Sequence, residues 1–429
     1  MKVAFDVVIV GAGPGGIAAA TAAAEAGKRV CIVDDNRAPG GQIWRGFDQV
    51  DPKKYPHGDV YLRWTSRLRK TSCEVWTGWQ ATDHPAAGCL RVERDGEIRD
   101  IRFLSLILAT GARERFLPFP GWTLPGVTGA GGLQALVKSG LDPRGKRVVV
   151  AGTGPLLLAI AGGLASAGAE IVAIYEQAPL ARLILFGAGL ARHAEKLAEG
   201  LSYRRKTRRA PYRTSTWIKR VEGSGRVERV VVTNGRKEWT HICDWIACGF
   251  HLVPNLELPR LLGCRVVDGY VEVDSLQQSS VKGVACIGEL TGIGGIDKAI
   301  LEGQIAGWAA ADRGAEATGA ARALGPHKRF ARELDRAFAL REELRGLAQP
   351  ETFVCRCEDV TYAELAGCGG WREAKLHTRC GMGACQGRIC GAATEFLFGW
   401  QTGGVRPPAF PVAVSAVTPK VDAPNPICK

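Results

Sequence analysis

Residues 5–16 read FDVVIVGAGPGG, and the fold follows from this stretch. A run of β-branched and apolar residues leads into Gly11, Gly13 and Gly16, and an Ala-rich segment follows. This is strand, glycine-rich turn, helix. Gly11 lets the chain turn sharply, Gly13 lets backbone approach a pyrophosphate, and Gly16 lets the helix pack close to the strand. Pro14 suits the first turn of that helix, whose free N–H groups would face the phosphates. The next strand, residues 29–33, ends in Asp34, 23 residues beyond Gly11, where a carboxylate can accept ribose hydroxyls.

The same pattern returns 141 residues later. Residues 147–155 (RVVVAGTGP) place Gly152 and Gly154 after a strand, and Glu176 ends the following one. Leu157 stands where a third glycine is expected, so helix and strand fit less closely. Glu176 would accept a ribose 2′-hydroxyl and repel a 2′-phosphate, which disfavours NADPH. NAD(H) as redox partner, a non-redox nucleotide such as ATP, and an empty relic all remain open for this second unit. It has no Cys-x-x-Cys, which excludes dithiol exchange there.

The 429 residues allow two to four domains, and 46% apolar with 23% charged residues is ordinary for a globular chain. A net charge of +13 favours anionic partners such as dinucleotides or an acidic protein. Six of the positive charges lie in residues 203–213 (YRRKTRRAPYR), but no nucleic-acid-binding motif accompanies them, so a solvated face or subunit contact is expected. Residues 7–24 and 148–169 are long enough to span a membrane, yet each reads as strand, turn and helix, so no transmembrane segment is expected. Without a secretory signal, a cytoplasmic or membrane-peripheral location is expected. Residues 226–233 and the Asn234-Gly235 turn mark a β-rich region. Residues 302–312 read as helix, 314–325 as a low-complexity connector, 330–347 as a charged amphipathic helix, and the chain from Val405 as a Pro-rich extended tail.

Fourteen cysteines are present, and six of them fall between Cys355 and Cys390. In a cytosolic chain such clustering points to metal rather than to disulfides. Residues 352–359 (TFVCRCED) hold Cys355 and Cys357. Residues 378–391 (TRCGMGACQGRICG) hold Cys380, Cys385 and Cys390 at equal spacing. Thiolates from two tight loops suit zinc or an iron–sulfur cluster. A nucleotide-binding unit in the same chain favours the redox cluster, and spacing alone does not choose between Cys380 and Cys390. Seven histidines are scattered, and of these His251 alone lies near the return to the first unit. No amine-oxidising constellation is visible.

Gly40-Gly41-Gln42, residues 108–112 (LATGA) and residues 286–289 (CIGE) complete a resemblance to the two-dinucleotide-domain flavoprotein reductases, such as thioredoxin reductase. The resemblance implies an α/β fold with two Rossmann-like units and bound FAD. Gly41 and Gln42 would border the flavin, Ala109, Thr110 and Gly111 the nucleotide half, and Gly288 and Glu289 the ribityl chain. Glu289 departs from the usual Asp. The cysteine block resembles the small ferredoxin-like domain of bacterioferritin-associated ferredoxin. Over nearly its whole length the chain is similar to the α (A) subunits of heteromeric amino-acid dehydrogenases, which include opine oxidases, proline and hydroxyproline dehydrogenases and hydrogen cyanide synthase. That similarity implies a 2Fe–2S cluster on Cys355, Cys357, Cys385 and Cys390, with Cys380 as alternate ligand and Cys368 as bystander. It further implies a catalytic flavin-containing β subunit, with a small γ subunit in some members, and FMN as a further flavin at the subunit contact. The implied layout is an FAD domain (1–122 and 250–325), a second nucleotide domain (123–249), a connecting helix (326–350), the cluster domain (351–400) and a tail (401–429). The role implied is electron transfer. The competing readings are a stand-alone NAD(H)-dependent reductase and a scaffold role.

Overall fold

The structure is a computed structural model that describes residues 3–190 and 194–414. Its first sheet has at its centre the apolar strand Val3–Val10, paired in parallel with Val30–Asp34 on one side and Glu97–Leu108 on the other. Glu74–Thr77 extends the parallel part beyond Val30–Asp34. Glu97–Leu108 changes partner along its length. Its first half pairs antiparallel with Cys89–Arg94, and its end pairs in parallel with Val284–Cys286. Gln80–Ala86 closes the antiparallel edge.

Helix Gly58–Leu68 packs into the core on one face of this sheet, which Pro14–Glu25 and Gly295–Ala310 also cover. The latter two approach through small residues: a Cβ on Gly303 or Gly307 would overlap the carbonyl oxygens of Gly15 and Ala19. The face is buried throughout, as a parallel sheet requires, with Val7, Ile9, Ile17, Ile32 and Ile107 all fully covered.

The second sheet is wholly parallel, in the order Tyr212–Arg213, Glu170–Glu176, Arg147–Thr153, Trp245–Phe250, Val127–Gly129. A three-stranded antiparallel meander, Trp217–Glu222, Arg229–Thr233 and Glu238–Ile242, packs on it. The chain passes between the two units through Ala112–Glu114 and returns through Leu252–Pro254, and these strands pair with each other. The crossing therefore lies before residue 122. Leu117, Phe119 and Trp122 are buried in the second unit's core, because their apolar side chains complete its contact with the meander.

The region 314–325 is not a loose connector. Gly314–Ala321 is a helix whose Ala317 is buried against Ile305 and Leu324, and the alanines supply the propensity for it. The charged helix starts earlier and ends sooner than the sequence pattern suggests, at Leu324–Ala337, with a short 3₁₀ turn at Glu342–Gly346. It stops because Phe338 leaves helical geometry and turns into a buried contact.

The cysteine block is a small module. A hairpin of Phe353–Cys355 and Val360–Thr361 is followed by helices Tyr362–Ala366, Trp371–Thr378 and Cys390–Phe398. Thr361 and Glu364 form a reciprocal capping box that starts the first of these helices. Beyond the module, Val405, Ala409 and Phe410 pack on the first unit's core, and Ala409 N–H donates to the Thr82 carbonyl at 2.7 Å. The remainder of the expected tail, and His193, lie outside the described residues. No helix among the described residues is long and apolar enough to cross a membrane.

Candidate functional site

The first glycine loop has two packing positions and one open one. A Cβ on Gly11 would overlap the Ala109 carbonyl, and one on Gly16 would overlap that of Gly11. At Gly13, the N-cap of the helix, a Cβ would meet none of the described residues within 4 Å. Open space at a helix N-terminus, with Pro14 at the first turn, is what a pyrophosphate needs. Gly40 N–H donates to the Ala12 carbonyl at 2.8 Å and brings Gly41 against Gly13. Asp34 accepts from Ala12 N–H at 2.5 Å and from Asn36 N–H at 2.7 Å, so its carboxylate is fixed at the mouth of the loop. Gln42 is exposed just beyond.

Thr110 is clamped by Asn255, whose side chain donates to the Thr110 carbonyl at 2.8 Å while the Thr110 hydroxyl donates to the Asn255 carbonyl at 3.0 Å. Gly111 accepts from Asn255 N–H at 3.0 Å. Gly288 is held from beneath. Its N–H donates to Glu302 at 2.8 Å, and its carbonyl accepts from Lys298 Nζ at 2.8 Å. Lys298 and Glu302 form an ion pair with side chains only 1% and 0% exposed. Glu289 accepts from Gly294 and Gly295 N–H, both at 3.1 Å, at the start of helix Gly295–Ala310, and burial raises its pKa.

Sequence reasoning missed two cations here. A cleft of about 500 Å³ runs past Asp35, Asn36 and Gly41, and Arg45 and Lys138 line it. Arg45 donates to Asn36 Oδ1 at 3.0 Å, while its buried Nε–H has no protein partner among the described residues. Arg45 follows Gly41-Gln42 closely and carried that signal in the sequence. Lys138 comes from the second unit, and nothing local could have placed it there.

The second loop differs. Leu157 occupies the third-glycine position, and the strand opposite accommodates it with Gly249, where a Cβ would come within 3.3 Å of Leu157 Cδ2. A Cβ on Gly154 would meet none of the described residues within 4 Å. Glu176 is fully buried and accepts from Thr153 Oγ1, Gly154 N–H and Ala178 N–H, each at 2.8 Å. Burial outweighs these bonds and pushes its pKa up to about 7.

In the cysteine module, the sulfurs of Cys355, Cys380 and Cys390 lie within 4.8 Å of one another, all buried. Cys385 contacts both Cys390 and Cys357, so five thiols are contiguous. Cys368 is bonded instead to the Glu364 carbonyl. Contact with the other thiols and the backbone N–H of Gly381 draw the Cys355 pKa down to about 2. For Cys385, Cys390 and the N–H groups of Ile389 and Gly387 draw it to about 5. The indole of Trp371 covers Gly381 and Gly387, and a Cβ on either would press into that ring. Backbone donors aimed at thiolates, in a cradle that glycine alone fits, suit a sulfur-ligated metal centre.

The module docks where the two units meet. Arg113 donates to the Arg388 carbonyl, between Cys385 and Cys390, at 3.0 Å and to Asn255 Oδ1 at 2.8 Å. Thr110, Asn255, Arg113 and Arg388 thus form one hydrogen-bonded line from the glycine-loop region to the thiols. Trp122 Nε1–H adds a bond to the Phe353 carbonyl at 2.6 Å. His251, in left-handed backbone (φ 73°), faces Asp335 at 3.4 Å. His57 pairs with Glu199, and His241 with the Tyr175 hydroxyl.

The pyridine nucleotide-disulphide oxidoreductase family matches residues 5–315. The A subunit of opine oxidase from Rhizobium meliloti is 34% identical over 97% of this chain and 99% of its own. Hydrogen cyanide synthase subunit HcnB of Pseudomonas aeruginosa is 31% identical over 89% of this chain and 90% of its own. The chain belongs to this family of flavoprotein oxidoreductase A-type subunits. Among solved structures, L-proline dehydrogenase from P. horikoshii matches with a TM-score of 0.68 at 19% identity, over 97% of this chain and 80% of that one. Thioredoxin reductase from T. acidophilum matches over 72% of this chain and 99% of its own, with a TM-score of 0.57 at 22% identity. In this A-type subunit, the thioredoxin-reductase-like part is therefore the two-unit body. The thiol module lies beyond the residues matched by the oxidoreductase family.

Proposed function

We propose that the chain is the electron-transfer subunit of a hetero-oligomeric dehydrogenase that oxidises an amino acid or opine at a separate, flavin-containing β subunit. FAD would lie along Gly11, Gly13, Pro14, Gly16, Asp34, Gly41, Gln42, Ala109, Thr110, Gly111, Gly288 and Glu289. A 2Fe–2S centre would take Cys355, Cys357, Cys385 and Cys390, with Cys380 as a fifth thiol against it. The flavin supplies exchange between electron pairs and single electrons, and the cluster carries single electrons onward. A small γ subunit, and FMN at the subunit contact, fit the same scheme. The subunit names of its relatives support assembly with partners.

The observation that carries this reading is the line Thr110–Asn255–Arg113–Arg388, because it seats the thiols against the same loop that borders the nucleotide half of the first site. A purely structural metal would need no such connection. This chain's own residues bury the sulfurs of Cys355, Cys380 and Cys390, hold the loops, and present backbone N–H groups to the thiols. The sequence shows no amine-oxidising constellation, so substrate chemistry is assigned to the partner.

Single Cys→Ser variants, reduced and examined by electron paramagnetic resonance, test the ligand set. Serine offers a harder oxygen ligand of similar shape. Loss or strong perturbation of the signal is expected at Cys355, Cys357, Cys385 and Cys390, and retention at Cys368. A normal signal in Cys390→Ser with a lost one in Cys380→Ser would overturn the set. Zinc without iron in anaerobic preparations would overturn the redox role.

A further inference from the structure

In a dinucleotide-binding βαβ unit, phosphates sit at the helix N-terminus and the nucleoside passes the acid that ends the second strand. In the second unit of this chain that acid is Glu176, and the space beside it is filled. The filling comes from the chain itself, just after helix Leu324–Ala337.

The polar contacts are specific. The Phe338 carbonyl lies 3.3 Å from Thr153 Oγ1, in the glycine loop itself, and shares that hydroxyl's one proton with Glu176. The Ala339 carbonyl accepts from Gln177 Nε2 at 3.3 Å and from Arg182 Nη1 at 3.4 Å. Arg341 N–H donates to Gln177 Oε1 at 3.1 Å, and its guanidinium lies 4.7 Å over the ring of Trp217. Gln177, next to Glu176, is 0% exposed. The apolar contacts agree. Phe338 is buried with Ala178, Leu183 and Phe186, and its ring meets that of Phe186 edge-on at 5.2 Å. Glu176 accepts from Thr153 and Ala178 at Oε1 and from Gly154 at Oε2. An aromatic ring and two peptide carbonyls thus stand where a nucleoside would present its base and ribose.

We propose that residues 338–341 occupy the nucleoside pocket of the second unit, so that this unit holds the chain's own connector rather than NAD(H) or ATP. The open space at Gly154 is the phosphate end of a pocket whose other end is closed. The latch is tied at its N-terminal side as well, where Asp335 on the same helix faces His251 at 3.4 Å and accepts from the Tyr270 hydroxyl at 3.2 Å. The second unit then works as a joint that fixes the connector, and through it the thiol module, on the two-unit body. Occupancy of this pocket is independent of which substrate the complex oxidises.

Equilibrium dialysis of labelled NADH and, separately, labelled ATP against the full-length flavin-loaded chain tests this. The wild type should retain neither. Phe338→Ala empties the base position. Arg341→Pro, whose φ of −78° a proline ring tolerates, deletes the N–H that Gln177 accepts without opening the core. Apparent affinity for at least one nucleotide should rise about tenfold or more in a variant whose pocket is freed, since binding scales with the open fraction. Saturable binding by the wild type that Gly154→Val abolishes would overturn the proposal. So would the absence of any gain in whichever of the two variants keeps wild-type circular dichroism and flavin content.

Discussion

Asp34 and Glu176 end equivalent strands, yet they have different surroundings. Both are buried, Asp34 at 5% and Glu176 at 0% exposure, but the neighbours of Glu176, Thr153 and Gln177, bond the connector. A carboxyl with its pKa raised from 4.5 to about 7 binds its proton more tightly in the folded state. The sign follows from linkage. Below pH 4.5 the group is protonated in both states and costs nothing. Between 4.5 and about 7 the unfolded chain loses its proton first, so stability falls as pH rises. The full penalty above that window is about 3 kcal/mol. Glu176→Gln should therefore flatten the dependence of unfolding free energy on pH across that window, measured by denaturant titration. An unchanged slope would show that Glu176 does not titrate there. The pattern G-x-G with an acid at fixed distance was legible in both units, because local geometry demands it. The burial of Glu176 was not, since its neighbours Thr153 and Gln177 are held by the distant connector at 338–341. The same holds for Lys138 beside Asp35, and for Gly249, whose missing side chain makes room for Leu157. Cys380 was visible as an ambiguity of spacing, and folding brings it among the closest sulfurs.

Helix Gly295–Ala310 does more than cover a sheet. Lys298 and Glu302, one turn apart on it, grip both the N–H and the carbonyl of Gly288, and Lys298 also donates to the Thr291 hydroxyl at 2.8 Å. Breaking a buried pair by removing one partner leaves the other charge uncompensated, at a cost of about 3–5 kcal/mol. Lys298→Met should lower thermal stability by that order and weaken flavin retention, whereas Lys298→Met with Glu302→Gln should recover part of the loss. Equal melting temperatures for the single and double variants would refute the ion-pair account. The second half of the helix was legible, in the expected helix at 302–312, but its start at Gly295 and the pair were not, because Lys and Glu four residues apart usually mark a solvated face. The opposite error occurs at Gly314–Ala321, where low-complexity Ala/Gly text reads as connector and packs as helix. Alanine carries little pattern of its own, so only the partner surface, Ile305 and Leu324, reveals the role.

At the scale of the molecule, three bodies meet around the chain crossing at Ala112–Glu114 and Leu252–Pro254. Arg113 lies in the crossing and bonds both Asn255 and Arg388, so the joint between the two units is also the seat of the thiol module. The salt bridge from Arg113 to Glu257, at 2.9 Å, steadies that seat. The two-unit α/β body was legible from its duplicated loops, and the existence of a cysteine module from its clustering. Where that module docks was not, because the contacts join residues 275 positions apart. The function proposed above requires a route in which electrons would leave a substrate on the partner and reach the thiol module through the first site. The chain is therefore to be co-purified with its partner proteins and mixed without oxygen with a panel of opines, proline and sarcosine. Electron paramagnetic resonance is then recorded on rapidly frozen samples. The account predicts that one of these substrates produces the reduced-cluster signal in the complex and none produces it in the isolated chain. Substrate turnover by the complex at full rate with the thiol centre remaining oxidised, or turnover by the isolated chain at a comparable rate, would contradict it.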